Sequence, residues 1–410
     1  MRLSARPHTP HTEHPPRDAR VLQDPSAVAH LGSVLLFSLG SSIITPFFAI
    51  YVAKTLGYGL TFSALLISVK VIGQRALSLA GGMLADSYGA KSMAIAGVVI
   101  RTASFTLLLL APSRHTLLAS ALLNGLGAAI YHPALRKLLY TRYRALPTLL
   151  ARVIGLRNAF LNLGAALGPL LGLILVAHHF VIACQIIVFV YVANAALLAL
   201  FREEAPHQPA QRAAFQWSDL RSLPFLHVLV LQFGFFAAYS HFEFLIPVFF
   251  QGQLGNEYVA LAFIVNTGVV LLVQGFLTAV VHRVPSWLGF GSFLAFFSAC
   301  AVATVEGPAF FQQRAYASVL LVIVAMVFFT LGEVVLSNRV DHLTTRHVNS
   351  RSAGTAFGMV ALVGALSLSL MNWLNALLLN HGALLAVWLC SAAVAALFLT
   401  YEMRRKKHET

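Results

Sequence analysis

Twelve long apolar runs separated by short polar breaks dominate the chain. They cover residues 29–53, 62–85, 93–112, 115–139, 149–177, 179–201, 223–250, 257–281, 287–306, 313–337, 352–379 and 382–402. Each is close to or above the ~20 residues that an α-helix needs to cross a hydrocarbon layer. Most breaks between them are only a few residues long, so successive helices are expected to lie antiparallel. The pattern predicts an all-α integral membrane protein.

The one long connection, 202–222, contains Glu203, Glu204, Pro206, Pro209 and Asp219. It divides the chain into an N-terminal half, 29–201, and a C-terminal half, 223–402, with six expected spans each. That is the outline of a duplicated bundle. Residues 1–28, rich in His, Pro and Arg, are expected to form a disordered cytoplasmic arm, and 403–410 a basic cytoplasmic tail. His8, His11 and His14 recur every third residue, but on a Pro-broken arm they read as solvated rather than metal-binding. No apolar signal segment stands in the arm.

Composition agrees with the pattern. The 410 residues are 58% hydrophobic and 10% charged, against about 25% charged in soluble domains, and mean hydropathy is +0.78. Cys184, Cys300 and Cys390 all fall inside apolar runs, which excludes a disulfide framework and a zinc spacing. No cofactor and no metal are expected.

The net charge of +14 would point to nucleic acid in a soluble protein, but its placement is topological. Expected loops and tails on the side of the termini hold 21 Lys and Arg residues, while the opposite side holds Lys54, Arg114 and Arg314. By the positive-inside rule both termini are cytoplasmic, and the expected location is a bacterial cytoplasmic (inner) membrane. Four bases lie within spans: Lys70, Arg75, Arg101 and Arg157. A charge at mid-helix costs about 2.5–3.5 kcal/mol on insertion scales, so such residues usually face a wet interior or snorkel to a surface. Arg75 is too far from a surface to snorkel; Lys70 and Arg101 are candidates to do so.

Between the second and third runs the chain reads G-G-M-L-A-D-S-Y-G-A-K. Gly82, Leu84, Ala85, Asp86, Gly89 and Lys91 match the pattern G-x-L-A-D-x-x-G-x-K/R. With twelve spans in two halves, the chain resembles the major facilitator superfamily of secondary transporters, and within it the drug:proton antiporter type. The resemblance implies a major facilitator fold with two pseudo-symmetric halves and a gating role for Gly82, Asp86, Gly89, Lys91 and Arg136. Asp86 would latch onto the start of the eleventh span near Arg351. A second pattern in the fifth span, Gly155, Gly164, Gly168-Pro169 and Gly172, resembles that of exporter branches. Its bland alternative is close helix packing through small residues. The fourth span departs from the family: the arginine often found four residues before Gly125 is Ala121 here, and His132 precedes Pro133 where an acid is common.

Few titratable groups remain inside the bundle. Glu243, Glu333 and His132 are the proton-coupling candidates, with a structural ion pair to Arg75, Arg101 or Arg157 as the alternative for the acids. Substrate-cavity candidates are Tyr51, Lys70, Gln74, Arg75, Arg157, Asn158, Asn162, Tyr239, His241, Asn266, Gln274 and Asn372. Lys70 and Gln74 are four apart, as are Asn158 and Asn162, so each pair shares a helix face.

The expected function is proton-coupled efflux of a small organic molecule, drug or metabolite, by alternating access. Interior bases outnumbering acids leave an anionic cargo such as a carboxylate siderophore open. An uptake symporter on the same fold is the alternative. No H-E-x-x-H, G-x-S-x-G or P-loop pattern supports an enzyme. The expected partners are the small-molecule substrate, protons and the lipid bilayer, with no nucleic acid, and the protein is expected to act as a monomer.

Overall fold

A computed structural model describes residues 25–110, 113–143, 147–176, 180–200, 222–276, 284–347 and 353–409. The arm before residue 25, the connection 201–221 and Arg351 lie outside the described residues, as do the side chains of Asp86 and Gln274. Among the described residues all regular structure is helical. Nine helices among the described residues are long and apolar enough to cross a membrane. The expected spans 62–85, 115–139 and 223–250 also fold as helices, but each is too interrupted or too polar to meet that standard, so twelve crossings stay an expectation.

The first span is broken. Helix α1 (Pro25–Ser42) is followed by a short α2 (Thr45–Ile50) and a π-helical turn, Tyr51–Thr55, with Pro46 denying the ladder a donor at the break. The second divides at Leu77 into α3 (Leu60–Ala76) and α4 (Ser78–Tyr88). Then come α5 (Ala90–Leu110), α6 (Arg114–Tyr143), α7 (Pro147–Val176) and α8 (Phe180–Leu200). The seventh expected span is also split, into α9 (Leu223–Tyr239) and α10 (Leu245–Gln253). After these run α11 (Asn256–Phe276), α12 (Ser286–Gln312), α13 (Ala315–His347), α14 (Ala353–Asn380) and α15 (Leu384–Glu409).

Two boundaries differ from expectation. Helix α1 begins at Pro25, inside the expected arm, because proline suits the first helical turn. Helix α15 runs through the expected tail to Glu409, since Arg404 to Lys407 are good helix formers whose charge complements a helix C-terminus.

The packing repeats. In the first group α1 contacts α7 and α8, α5 contacts α6 and α8, and α3 contacts α6. In the second, α9 contacts α14 and α15, α12 contacts α13 and α15, and α11 contacts α13. Between the groups the main contacts are α3 with α14 and α7 with α11, which exchange under the same correspondence. The cores differ: that of the second group is aromatic, with Phe290, Phe293, Phe296, Phe297, Phe329 and Trp388 fully buried.

Backbones approach closely where glycine permits. A Cβ on Gly168 would meet Ser42 Cβ at 2.4 Å, and one on Gly172 would meet the Ile43 carbonyl oxygen at 2.1 Å, so α7 lies directly on the end of α1. A Cβ on Gly125 would meet the Lys70 carbonyl oxygen at 2.4 Å, which presses α6 onto α3 beside the interior bases. Gly155, the first glycine of the same sequence pattern, faces open space.

Candidate functional site

The breaks in the first and seventh spans flank one interior cavity. It has a volume of about 290 Å³, and its wall includes Ser42, Ile44 and Thr45 from the first break and Phe242 and Glu243 from the second. Residues 240–244 form the turn between α9 and α10, so Glu243 stands on unwound chain rather than on the continuous helix expected. Irregular backbone at membrane depth is tolerated where it lines a cavity.

Glu243 reaches across to α3. Lys70 Nζ donates to Glu243 Oε2 at 2.5 Å, the two side chains being 21% and 25% exposed. This pair joins the two helix groups through the cavity wall. Lys70 therefore faces inward rather than snorkelling, and the acid's partner is not one of the three arginines considered from sequence.

The other charged groups are arranged around the pair. Arg101, from α5, projects into the same cavity, donates from Nη2 to Asn124 Oδ1 at 2.6 Å, and lies over the rings of Phe37 and Tyr191. Arg157, from α7, donates to Asn158 Oδ1 at 3.0 Å. Both arginines are 6% exposed. Apolar wall is supplied by Phe37, Phe48, Phe105 and Phe263.

A second cavity of about 930 Å³ adjoins the first, and Gln74, His132, Arg157 and Leu161 line both. Its wall includes Arg75, Asn158, Tyr239, Glu333 and, further out, Gly82, Met83, Arg136 and Asp341. Arg75 stacks its guanidinium 4.2 Å above the Phe236 ring. Glu333 accepts from Asn266 Nδ2 at 2.8 Å, and Asn266 itself lines the inner cavity, so a hydrogen bond connects the compartments.

The larger cavity lies toward the end of the bundle where α4 meets α5. At the opposite end the groups are tied together: Lys54 donates to Gln251 at 2.5 Å, and Asn380 donates to Thr61 at 2.6 Å. The fold is thus closed at one end and hollow at the other.

The G-x-L-A-D turn sits at the hollow end. Gly89 has φ 93°, in the region that favours glycine, and makes the corner between α4 and α5. Lys91 donates to the Ala199 carbonyl at 3.0 Å, and Lys137 to the Ala85 carbonyl at 3.0 Å, which holds the end of α4.

Several expected cavity residues lie elsewhere. His241 is fully buried in the aromatic core, bonded to Ser391 at 2.7 Å and stacked near Trp388. Tyr51 stacks on Phe180 with ring centroids 3.4 Å apart. Asn162 and Asn372 line neither cavity, and Asn372 is fully buried with both side-chain polar atoms unpartnered among the described residues. Conversely, Arg101, Asn124 and Asp341 were not among the sequence candidates. A fixed charge within an apolar run was the available signal for Arg101.

A profile of the Major Facilitator Superfamily matches residues 31–372. The chain belongs to the Major Facilitator Superfamily. An uncharacterised MFS-type transporter of Mycobacterium tuberculosis is 30% identical over 232 residues, which cover 55% of this chain and 54% of that protein. The multidrug resistance protein MdtH of Aeromonas hydrophila is 26% identical over 224 residues, 54% of this chain and 56% of that one. These matches span about half the length of the relatives. Among solved structures, a nucleoside transporter NupG mutant superimposes with a TM-score of 0.73 at 13% identity, covering 93% of this chain and 99% of that one. A POT family transporter solved with 5-aminolevulinic acid gives 0.72 at 14% identity, covering 92% and 96%. At such identities the likeness shows the fold alone. The M. tuberculosis relative and both solved structures are named as transporters.

Proposed function

We propose that this MFS protein exports a small organic molecule from the bacterial cytoplasm in exchange for protons, by alternating access. The observation that carries the reading is the Lys70–Glu243 pair across the two helix groups in the cavity wall. With Glu243 ionised, the pair holds the groups together and the cavity open at the hollow end. A proton on Glu243 removes the carboxylate charge, releases Lys70 and allows the groups to rock. Substrate and proton then compete for one conformational equilibrium, which makes their coupling reciprocal.

Export rather than uptake is supported by the glycine pattern of α7 and by the MdtH relatives, whose name states multidrug resistance. The Lys and Arg distribution supports cytoplasmic termini and hence a hollow end that faces the cytoplasm. Glu333 is the second proton candidate, since Asn266 links it to the inner cavity. His132, which lines both cavities, is the third.

The test uses inside-out vesicles from cells that express the protein, with the lumen acidified and reported by a quenched acridine dye. Fractionated extract of the same cells is added as the substrate source. An exporter exchanges lumenal protons for substrate, so an active fraction relieves the quench with wild-type vesicles and not with Glu243→Gln vesicles. Equal relief by the variant would remove Glu243 from coupling. Dye that stays quenched with every fraction, together with unchanged metabolite profiles of the medium, would overturn export.

A further inference from the structure

We infer that the inner cavity takes the carboxylate head of an amphipathic organic anion between Arg101 and Arg157. The inference deepens the transport reading by naming the class of substrate, and it rests on that reading only for the protein's use of the site.

The charged residues that line this cavity are Lys70, Arg101, Arg157 and Glu243, with His132 beside them. Lys70 and Glu243 neutralise each other. That leaves two guanidinium groups. Each is 6% exposed, each donates from one Nη to a neutral asparagine amide, and the Nε of each is buried with no hydrogen-bond partner among the described residues. Buried charge is normally paired, because desolvation of an isolated ion is expensive. Arginine matches a carboxylate through parallel N–H donors in its planar fork. Two such forks in the wall of one cavity, neither paired with a carboxylate among the described residues, form a receptor for that group.

The remainder of the wall limits what is attached to the carboxylate. Phe37, Phe48, Phe105 and Phe263 line the space, and Ser41, Ser42 and Thr45 offer hydroxyls at its edge. A volume of about 290 Å³ is at the small end of ligand pockets, which run from roughly 300 to 1,000 Å³. The fitting ligand is a compact apolar or aromatic body with one carboxylate. A lipophilic cation finds the acid of this cavity already occupied by Lys70, while Glu333 lies in the outer compartment with Arg75, Arg136 and Arg157.

Arg101 on α5 brings its guanidinium to Asn124 on α6. A Cβ on Gly127 would meet Arg101 Cγ at 2.6 Å, so glycine there makes room for the side chain.

The experiment measures binding to purified full-length protein in detergent by thermal shift, with three probes of one shape: 2-naphthoate, 2-naphthylmethylammonium and 2-naphthalenemethanol. The naphthoate is expected to raise the melting temperature saturably, and the other two to leave it unchanged. Arg101→Gln and Arg157→Gln are each expected to weaken naphthoate binding at least tenfold. Arg101→Lys and Arg157→Lys, which keep the charge but lose the fork, are expected to fall between, and they carry the test if a glutamine variant does not purify. The inference is overturned if the ammonium probe binds as well as the naphthoate, if the naphthoate gives no saturable shift, or if the variants bind it within twofold of wild type. The readout needs neither a proton gradient nor a direction of transport. Its failure therefore leaves the export reading standing, and failure of the vesicle test leaves the anion site standing.

Discussion

Lys70 on α3 and Glu243 in the turn between α9 and α10 are 173 residues apart in sequence and meet at 2.5 Å across the two helix groups. The pair is partly exposed to the cavity, so it is weakened by solvent compared with a dry ion pair. Removal of one partner leaves the other charge without compensation. Lys70→Gln and Glu243→Gln are each expected to lower the melting temperature more than the double variant does. A double-mutant cycle on thermal unfolding checks this, and simple additivity of the two single effects would contradict the pairing.

Closure of the end opposite the large cavity rests on Lys54–Gln251 and Thr61–Asn380. Thr61→Cys with Asn380→Cys, bridged by a short bifunctional thiol reagent, is expected to hold the protein hollow at the other end. The background removes the exposed Cys390; Cys184 and Cys300 are buried. Transport should stop, while a cysteine at exposed Met83 stays reactive to a bulky thiol reagent applied from the α4–α5 side. Continued turnover with the bridge in place would count against alternating access through this interface.

The glycine pattern of α7 separates into two kinds of position. Gly172→Val places a side chain against the Ile43 carbonyl, whereas Gly155→Val enters open space. Overpacking costs about 1–3 kcal/mol and occasionally more, so Gly172→Val should unfold well below wild type and Gly155→Val near it. Comparable melting temperatures for the two would show that α1 and α7 do not pack as described.

His241 is bonded to Ser391 at 2.7 Å and to the Ala238 carbonyl at 2.9 Å inside the aromatic core. His241→Ala leaves buried polar groups unpaired, at about 1–3 kcal/mol. Stability should fall while affinity for 2-naphthoate stays at the wild-type value. A selective loss of affinity in a protein of unchanged stability would return His241 to the cavity.

How much could be read in advance differs by residue. Gly89 announced a corner, and its positive φ makes one. Gly168 and Gly172 announced a close approach, and the surface they approach is α1. Arg75 lies too far from its cytoplasmic end to snorkel, and it lines the larger cavity. His241 and Asn372 looked alike from sequence, as polar residues in apolar helices. Such residues can face a cavity or hydrogen-bond between helices, and one sequence does not set the rotation of a helix about its axis.

The solvent, the helical class and the family are legible in the chain alone, because each depends on composition or on short local patterns. Apolar runs of span length require helices, and the tight G-x-L-A-D turn needs glycine at its corner. The candidate site is set by tertiary packing. Whether Glu243 meets Lys70 or an arginine depends on where a break in the seventh span falls and on how α3 faces the other group. Arg101 and Arg157 become candidate ligand-binding residues through packing that brings two buried guanidinium groups to one cavity without a carboxylate partner for either among the described residues.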